Sequence, residues 1–150
     1  MIATYQRQIL GLIFGIILVV LGYLGYQNLI LNPKIEEANS EIFQAQEFFE
    51  KGLADEDSRD SLFQSALNGA NGKYGFLDII DNYGGTPAAD LATYSSGMIY
   101  LHLGEFESAI DYLKDFKSSD PILAPLALGG VGDAYAEAQE DSESRYESSA

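Results

Sequence analysis

Apolar positions divide the chain into two parts with different periods. Ile9–Tyr26 (ILGLIFGIILVVLGYLGY) is apolar almost without a break, and the run continues through Leu29, Ile30 and Leu31 to Pro33 and Lys34. At 1.5 Å of rise per residue, such a helix is long enough to cross a hydrocarbon layer about 30 Å thick. Beyond Pro33 the apolar residues return at helical spacing instead: Ile35, Ala38, Ile42, Ala45, Phe48 and Phe49 predict a helix over 33–50 that ends near Gly52. Ala54–Ser61 (ADEDSRDS) is either a loop or the solvated start of the next helix, whose apolar face is Leu62, Phe63, Ala66 and Leu67. Asn68–Gly75 (NGANGKYG) reads as a turn-rich connector, and Phe76–Tyr83 (FLDIIDNY) as a short amphipathic helix stopped by Gly84 and Gly85. Thr86-Pro87 places a capping side chain before a proline at the first helical position, opening a helix that ends at Gly104. Glu105–Lys117 then carries Phe106, Ala109, Ile110, Leu113 and Phe116 on one face, so two helices joined at one glycine form an antiparallel hairpin. Ser118–Pro121 separates this hairpin from a last helix that begins between Pro121 and Pro125 and runs to about Glu137. No segment alternates with period two, so the expected fold class is all-α.

Charge sharpens the division. The 150 residues carry 8 Lys and Arg against 23 Asp and Glu, a formal net charge of −15. Residues 1–34 contain two cations, Arg7 and Lys34, and no acid, whereas residues 35–150 hold every acid. A phosphate-binding surface needs clustered cations, so nucleic acid is excluded as an expected partner. The chain has no Cys and one His, which removes disulfide scaffolds, thiolate zinc, iron–sulfur ligation, Cys nucleophiles and any His cluster.

The apolar run has two readings. A cleaved signal peptide has a core of only about 7 to 15 residues followed by a small-x-small site, and neither is present, so the expectation is an uncleaved anchor over 9–31. Tyr23 and Tyr26 fall where an interfacial aromatic belt would lie. Arg7 and the amino terminus on one side face Lys34, Glu36 and Glu37 on the other, a slight positive-inside bias that puts residues 1–8 in the cytoplasm. Projected at about 100° per residue, Gly11, Gly15, Gly22 and Gly25 share one narrow stripe. Such a stripe lets a neighbouring helix approach closely, or it reflects the frequency of glycine in membrane spans; both readings stand.

The hairpin carries a recognisable spacing. Gly97-x-x-Tyr100-x-x-x-Gly104-x-Phe106-x-x-Ala109-Ile110-x-x-Leu113, followed by Asp120-Pro121, resembles the tetratricopeptide pattern over a unit from Asp90 to Leu123. Gly132-Asp133-Ala134-Tyr135 repeats the Gly97–Tyr100 signature, and Ala45-x-x-Phe48-x-x-x-Gly52 is a weaker, earlier echo. The pattern departs at Thr93 and Ser96, where large apolar residues are usual, and it stops after Tyr135, where Gln139 replaces the turn glycine. Residues 137–150 are acidic and serine-rich, which predicts a frayed or disordered tail after a 35–136 helical domain.

A single span followed by a short acidic helical-repeat domain, with ALNG at Ala66–Gly69 and FLDIIDNYGGT at Phe76–Thr86, resembles the membrane-anchored tetratricopeptide proteins of the bacterial cell envelope. Among these it is similar to ancillary subunits of the Sec translocon that work beside a periplasmic chaperone. The resemblance implies a tetratricopeptide-like hairpin domain on the periplasmic side of the inner membrane. It also implies protein partners, among them Sec translocon subunits or a periplasmic chaperone, and neither cofactor nor small-molecule substrate.

Candidate chemistry is sparse. Gly69-x-x-Gly72-x-x-Gly75 is not a dinucleotide fingerprint, and Gly72-Lys73-Tyr74 lacks the Ser or Thr of a phosphate loop. Asp55, Asp57 and Asp60 miss the calcium-loop pattern, because Arg59 and Asp60 stand where a ligand and a glycine belong. A docking or chaperone-like subunit has two rivals: a structural assembly subunit whose repeats join envelope membrane proteins without binding clients, and a hydrolase, which no nucleophile, base and metal constellation supports. The resemblance instead places Leu91, Tyr94, Met98, Leu101 and His102 in a concave groove, with Leu126, Asp133 and Glu137 from the following helix, a mixed apolar and acidic surface for a peptide. The competing reading has some of these side chains, Leu101 and Leu126 above all, packed against a neighbouring helix.

Overall fold

The computed structural model describes residues 2–117 and 120–147 and is helical throughout, with no strand among the described residues. Met1, Ser118, Ser119 and the last three residues of the predicted tail lie outside them. The chain forms two compact units, Met1–Glu36 and Glu37–Ala150.

In the first unit, helix α1 spans Ile2–Tyr26 and is followed by a π-helical segment, Gln27–Leu31. The large apolar side chains from Ile9 to Leu24 are all exposed. The N-terminal segment is long and apolar enough to cross a membrane, the one such helix among the described residues. A helix with an apolar surface on every side has no stable place in water and needs lipid or protein around it.

Helix α2 spans Asn32–Glu41, and in the second unit it is followed by α3 (Phe43–Ala54), α4 (Arg59–Asn68) and α5 (Phe76–Tyr83). These are succeeded by α6 (Pro87–His102), α7 (Phe106–Asp115) and α8 (Leu123–Glu147). The helix predicted over 33–50 is present as α2 and α3, with Ile42 as a single turn residue between them. It runs past Gly52, because that glycine is a packing position and not a stop: a Cβ there would lie 2.6 Å from the Phe63 ring of α4. The ambiguous acidic stretch resolves into a loop, 55–58, in which Glu56 pairs with Arg59 at 3.3 Å.

Phe63, Phe76, Leu67, Ile79 and Ile99 are fully buried and form the main core with Ala38, Ile42, Ala45 and Ala92. Each large side chain contributes about 1.5–3 kcal/mol relative to exposure. The connector into α5 is fixed by backbone shape. Gly69 has φ +80 and Gly72 has φ +74, and the Asp78 carboxylate accepts the Gly75 N–H at 3.0 Å to begin α5.

Helix α6 lies in the middle of the packing. Eight of its sixteen residues are buried, and all of them except Ile99 are small: Ala88, Ala89, Ala92, Thr93, Ser95, Ser96 and Gly97. Thr93 and Ser96, which broke the repeat pattern, thus occupy positions where neighbouring helices come too close for a large side chain. Thr86 begins the helix as predicted: its hydroxyl accepts from the Ala89 N–H at 3.2 Å and donates to the Tyr83 carbonyl at 2.8 Å.

The α6–α7 hairpin turns at Gly104, whose φ of +76 lies in the left-handed region that favours glycine. The Glu105 N–H reaches back across it to the Tyr100 carbonyl at 2.9 Å. Gly97 is the point of closest approach. A Cβ on it would stand 2.6 Å from Leu113 Cγ and 3.2 Å from the Leu113 backbone nitrogen, and Ala109 beside it is fully buried. Tyr100 stacks on Tyr112 at 5.3 Å between centroids.

Helix α8 is started by Asp120, whose carboxylate accepts the N–H groups of Ile122 and Leu123 at 2.8 and 2.9 Å. Those bonds hold its pKa below the ordinary carboxylate value. The helix does not stop near Glu137. It continues through Glu147, so that the acidic stretch expected to fray is helical through that residue. No glycine or proline follows Gly132, and alanine, glutamate and glutamine are good helix formers; Gln139 also donates to Glu143 one turn on at 3.2 Å.

Candidate functional site

A cleft of about 530 Å³ opens beside the end of α6, lined by Leu101, His102, Gly104, Phe106, Asp133, Ala136 and Glu137. It exists because Gly104 turns the chain back while α8 lies against both helices of the hairpin. Four of the eight predicted groove residues meet here: Leu101 and His102 from α6, Asp133 and Glu137 from α8. Phe106, Gly104 and Ala136 complete the walls. Phe106 and Gly104 were visible in the sequence only as hairpin residues, and Ala136 carried no signal of its own.

The other four predicted positions are not in the cleft. Leu91 packs against the main core. Tyr94 and Met98 pack into a second core with Leu113, Ala127, Val131 and Phe116, and the Tyr94 and Phe116 rings lie 5.7 Å apart. The packing alternative therefore falls on Leu91, Tyr94 and Met98, rather than on Leu101, which lines the cleft, and Leu126, which is exposed. The reason is the nearness of α8. A Cβ on Gly130 would meet Leu113 Cδ1 at 2.9 Å and Met98 Sδ at 3.4 Å, so α8 comes close to α6 at Met98.

Electrostatically the cleft is one-sided. Asp133 and Glu137 are exposed carboxylates, while His102 has its pKa lowered first by burial and then by Arg59. Its ring rests 5.6 Å from that of Phe63. Both influences favour the neutral imidazole, whose ring nitrogens offer one donor and one acceptor. An apolar floor, two carboxylates and a neutral imidazole suit a basic or amide-rich segment better than an anion. No group of three or more His, Asp or Glu side chains among the described residues is placed to hold a metal ion.

In the first unit, a Cβ added at Gly11, Gly15, Gly22 or Gly25 meets nothing within 4 Å, so the predicted stripe is open along its length. Comparison of the chain with protein-family models, curated proteins and solved structures finds no match.

Proposed function

We propose that the protein is a membrane-anchored docking subunit, in which α1 holds a tetratricopeptide-like helical domain at a membrane and the cleft at the end of α6 binds a segment of a partner protein. The observation that carries this reading is the convergence of Leu101, His102, Asp133 and Glu137, from two helices, on one open cleft. The close crossing at Gly97 and the left-handed turn at Gly104 support the tetratricopeptide-like character of the hairpin. The exposed apolar surface of α1 supports the anchor, and the charge on either side of it favours a cytoplasmic N-terminus with the domain in the periplasm. On this reading the protein is not an enzyme, and its partners belong to the translocation or chaperone machinery of the bacterial inner membrane.

The test is recovery of partners with the intact protein from mild detergent. Glu137→Gln with Asp133→Asn should reduce that recovery through the cleft, and Gly15→Ile should reduce it through the span, at matched protein levels. Together they should abolish it, because each contact raises the effective concentration for the other. Full recovery with all three substitutions sinks the reading. Protease added to spheroplasts should remove the domain; protection until the membrane is broken would reverse the orientation.

A further inference from the structure

Helix α8 repeats the relation of α6 to the helix before it, and then lacks what α6 has on its other side. Ala92, Ser96 and Ile99 of α6 are buried, and 35 residues later Ala127, Val131 and Ala134 of α8 are buried in the same order. The opposite face of α6 is covered by α7, with Leu113 over Gly97 and Tyr112 stacked on Tyr100. The matching residues of α8 are Gly132 and Tyr135. A Cβ at Gly132 meets nothing within 4 Å, the same holds at Gly129, and Tyr135 is 51% exposed with Lys114 of α7 against its ring and hydroxyl. Leu128, at the position of buried Thr93, is 73% exposed. A flat glycine floor with large apolar residues at its edge is the shape that α7 fills on α6.

We propose that this outer face of α8, formed by Leu128, Gly129, Gly132 and Tyr135, docks an amphipathic helix of a partner protein that has the apolar spacing of α7 and a basic flank. The spacing comes from the internal repeat: a small residue followed four positions later by leucine, as in Ala109 and Leu113, places the leucine on the glycine. The sign of the charge comes from α8, where Glu140 and Glu143 lie exposed further along the helix. A second copy of this chain would bring the same acids against them, so charge favours a basic partner over self-association.

The probe is a hydrocarbon-stapled peptide with the sequence of α7 in which Glu107→Lys, Asp111→Lys and Asp115→Lys supply the basic flank, since so short a helix is marginal in water. Its binding to the intact chain in mild detergent is read by fluorescence anisotropy. Saturable binding should weaken at least about ten-fold with Gly132→Leu and with Leu128→Asp, both of which keep the single cooperative unfolding transition of the wild type. It should also weaken as salt rises from about 50 to about 500 mM, and the stapled peptide with the unaltered acids should bind at least about ten-fold less well. Absence of binding, binding to either variant as tight as to the wild type, or equal binding of the acidic peptide overturns the proposal. So does a dimer of the intact chain that Gly132→Leu dissociates, which would make a second copy the occupant. Glu137→Gln should leave the probe affinity within about two-fold. Loss with Glu137→Gln and not with Gly132→Leu would place the peptide in the cleft instead, overturning this proposal and leaving the cleft reading intact.

Discussion

Gly97 and Gly132 head the same four-residue signature and live in opposite surroundings. The first lies under Leu113, with no room for a methyl group; the second faces open space. Their helices share a buried row, Ala92, Ser96 and Ile99 on one and Ala127, Val131 and Ala134 on the other. They differ in that α6 has a helix on its other side, whereas among the described residues none lies over Gly132. A glycine signature therefore describes the surface a helix offers, and burial depends on what arrives. The stripe of α1 belongs with Gly132 in this respect, open along its length.

The sharpest way to break the comparison is to fill both glycines. Gly97→Leu should destabilise the second unit by about 3 kcal/mol, because the new side chain must displace Leu113 and its backbone in a close crossing. Gly132→Leu should change stability by no more than about 1 kcal/mol, in either direction. Urea unfolding of the intact chain in mild detergent, followed by tyrosine fluorescence, measures both. Similar losses at the two sites would mean that the outer face of α8 is packed after all.

The cap of α6 gives the next effect. Thr86 is 1% exposed and uses its hydroxyl twice, toward Ala89 and Tyr83, so Thr86→Ala should cost about 1–2 kcal/mol, while Thr86→Ser should recover most of it. A loss that serine does not restore would assign the effect to the buried methyl group and not to the cap.

These positions also mark how far the sequence could be read. Thr86-Pro87, Phe76–Tyr83 and the turn at Gly104 were legible because their causes are local: a capping hydroxyl, a 3.6-residue period, a left-handed φ. Gly52 was read as a stop because a glycine that ends a helix and one that admits Phe63 look alike in one dimension. The acids and serines of the tail predict fraying, whereas the helix continues through Glu147, with no glycine or proline after Gly132 to break it. At the cleft, His102, Asp133 and Glu137 were found through the repeat spacing. Tyr94 and Met98 pack beside Leu113, and Met98 lies under Gly130, a position the repeat signature passes over.

A smaller effect sharpens the open side of the comparison. Gly132→Ala should stabilise the domain by about 0.5–1 kcal/mol, since alanine loses less backbone entropy in a helix and nothing stands within 4 Å of the new methyl group. The same change at Gly97 should destabilise. A gain at both glycines, read from the same unfolding curves, would show that Leu113 moves aside more easily than its backbone contact allows.

The smallest effect concerns His102, which sits at the boundary between the packed hairpin and the open cleft. Burial and Arg59 disfavour the imidazolium, whereas Asp133 and Glu137 across the cleft would favour it, so its titration reports which surroundings prevail. The pKa should fall below the ordinary value of 6.5, followed by the ring proton shifts in an NMR titration of the intact chain. A histidine whose folded pKa is depressed contributes stability that is present above its unfolded pKa and is lost as pH falls through the folded value. The domain should therefore lose a little stability below about pH 6.5, and only a little, because the ring is largely solvated. Arg59→Gln should move the titration upward, and Glu137→Gln should leave it lower still. A pKa above 6.5 in the wild-type chain would mean that the carboxylates of α8 dominate His102, making the cleft a charged imidazolium–carboxylate site rather than the neutral-walled acidic groove that a basic segment would enter.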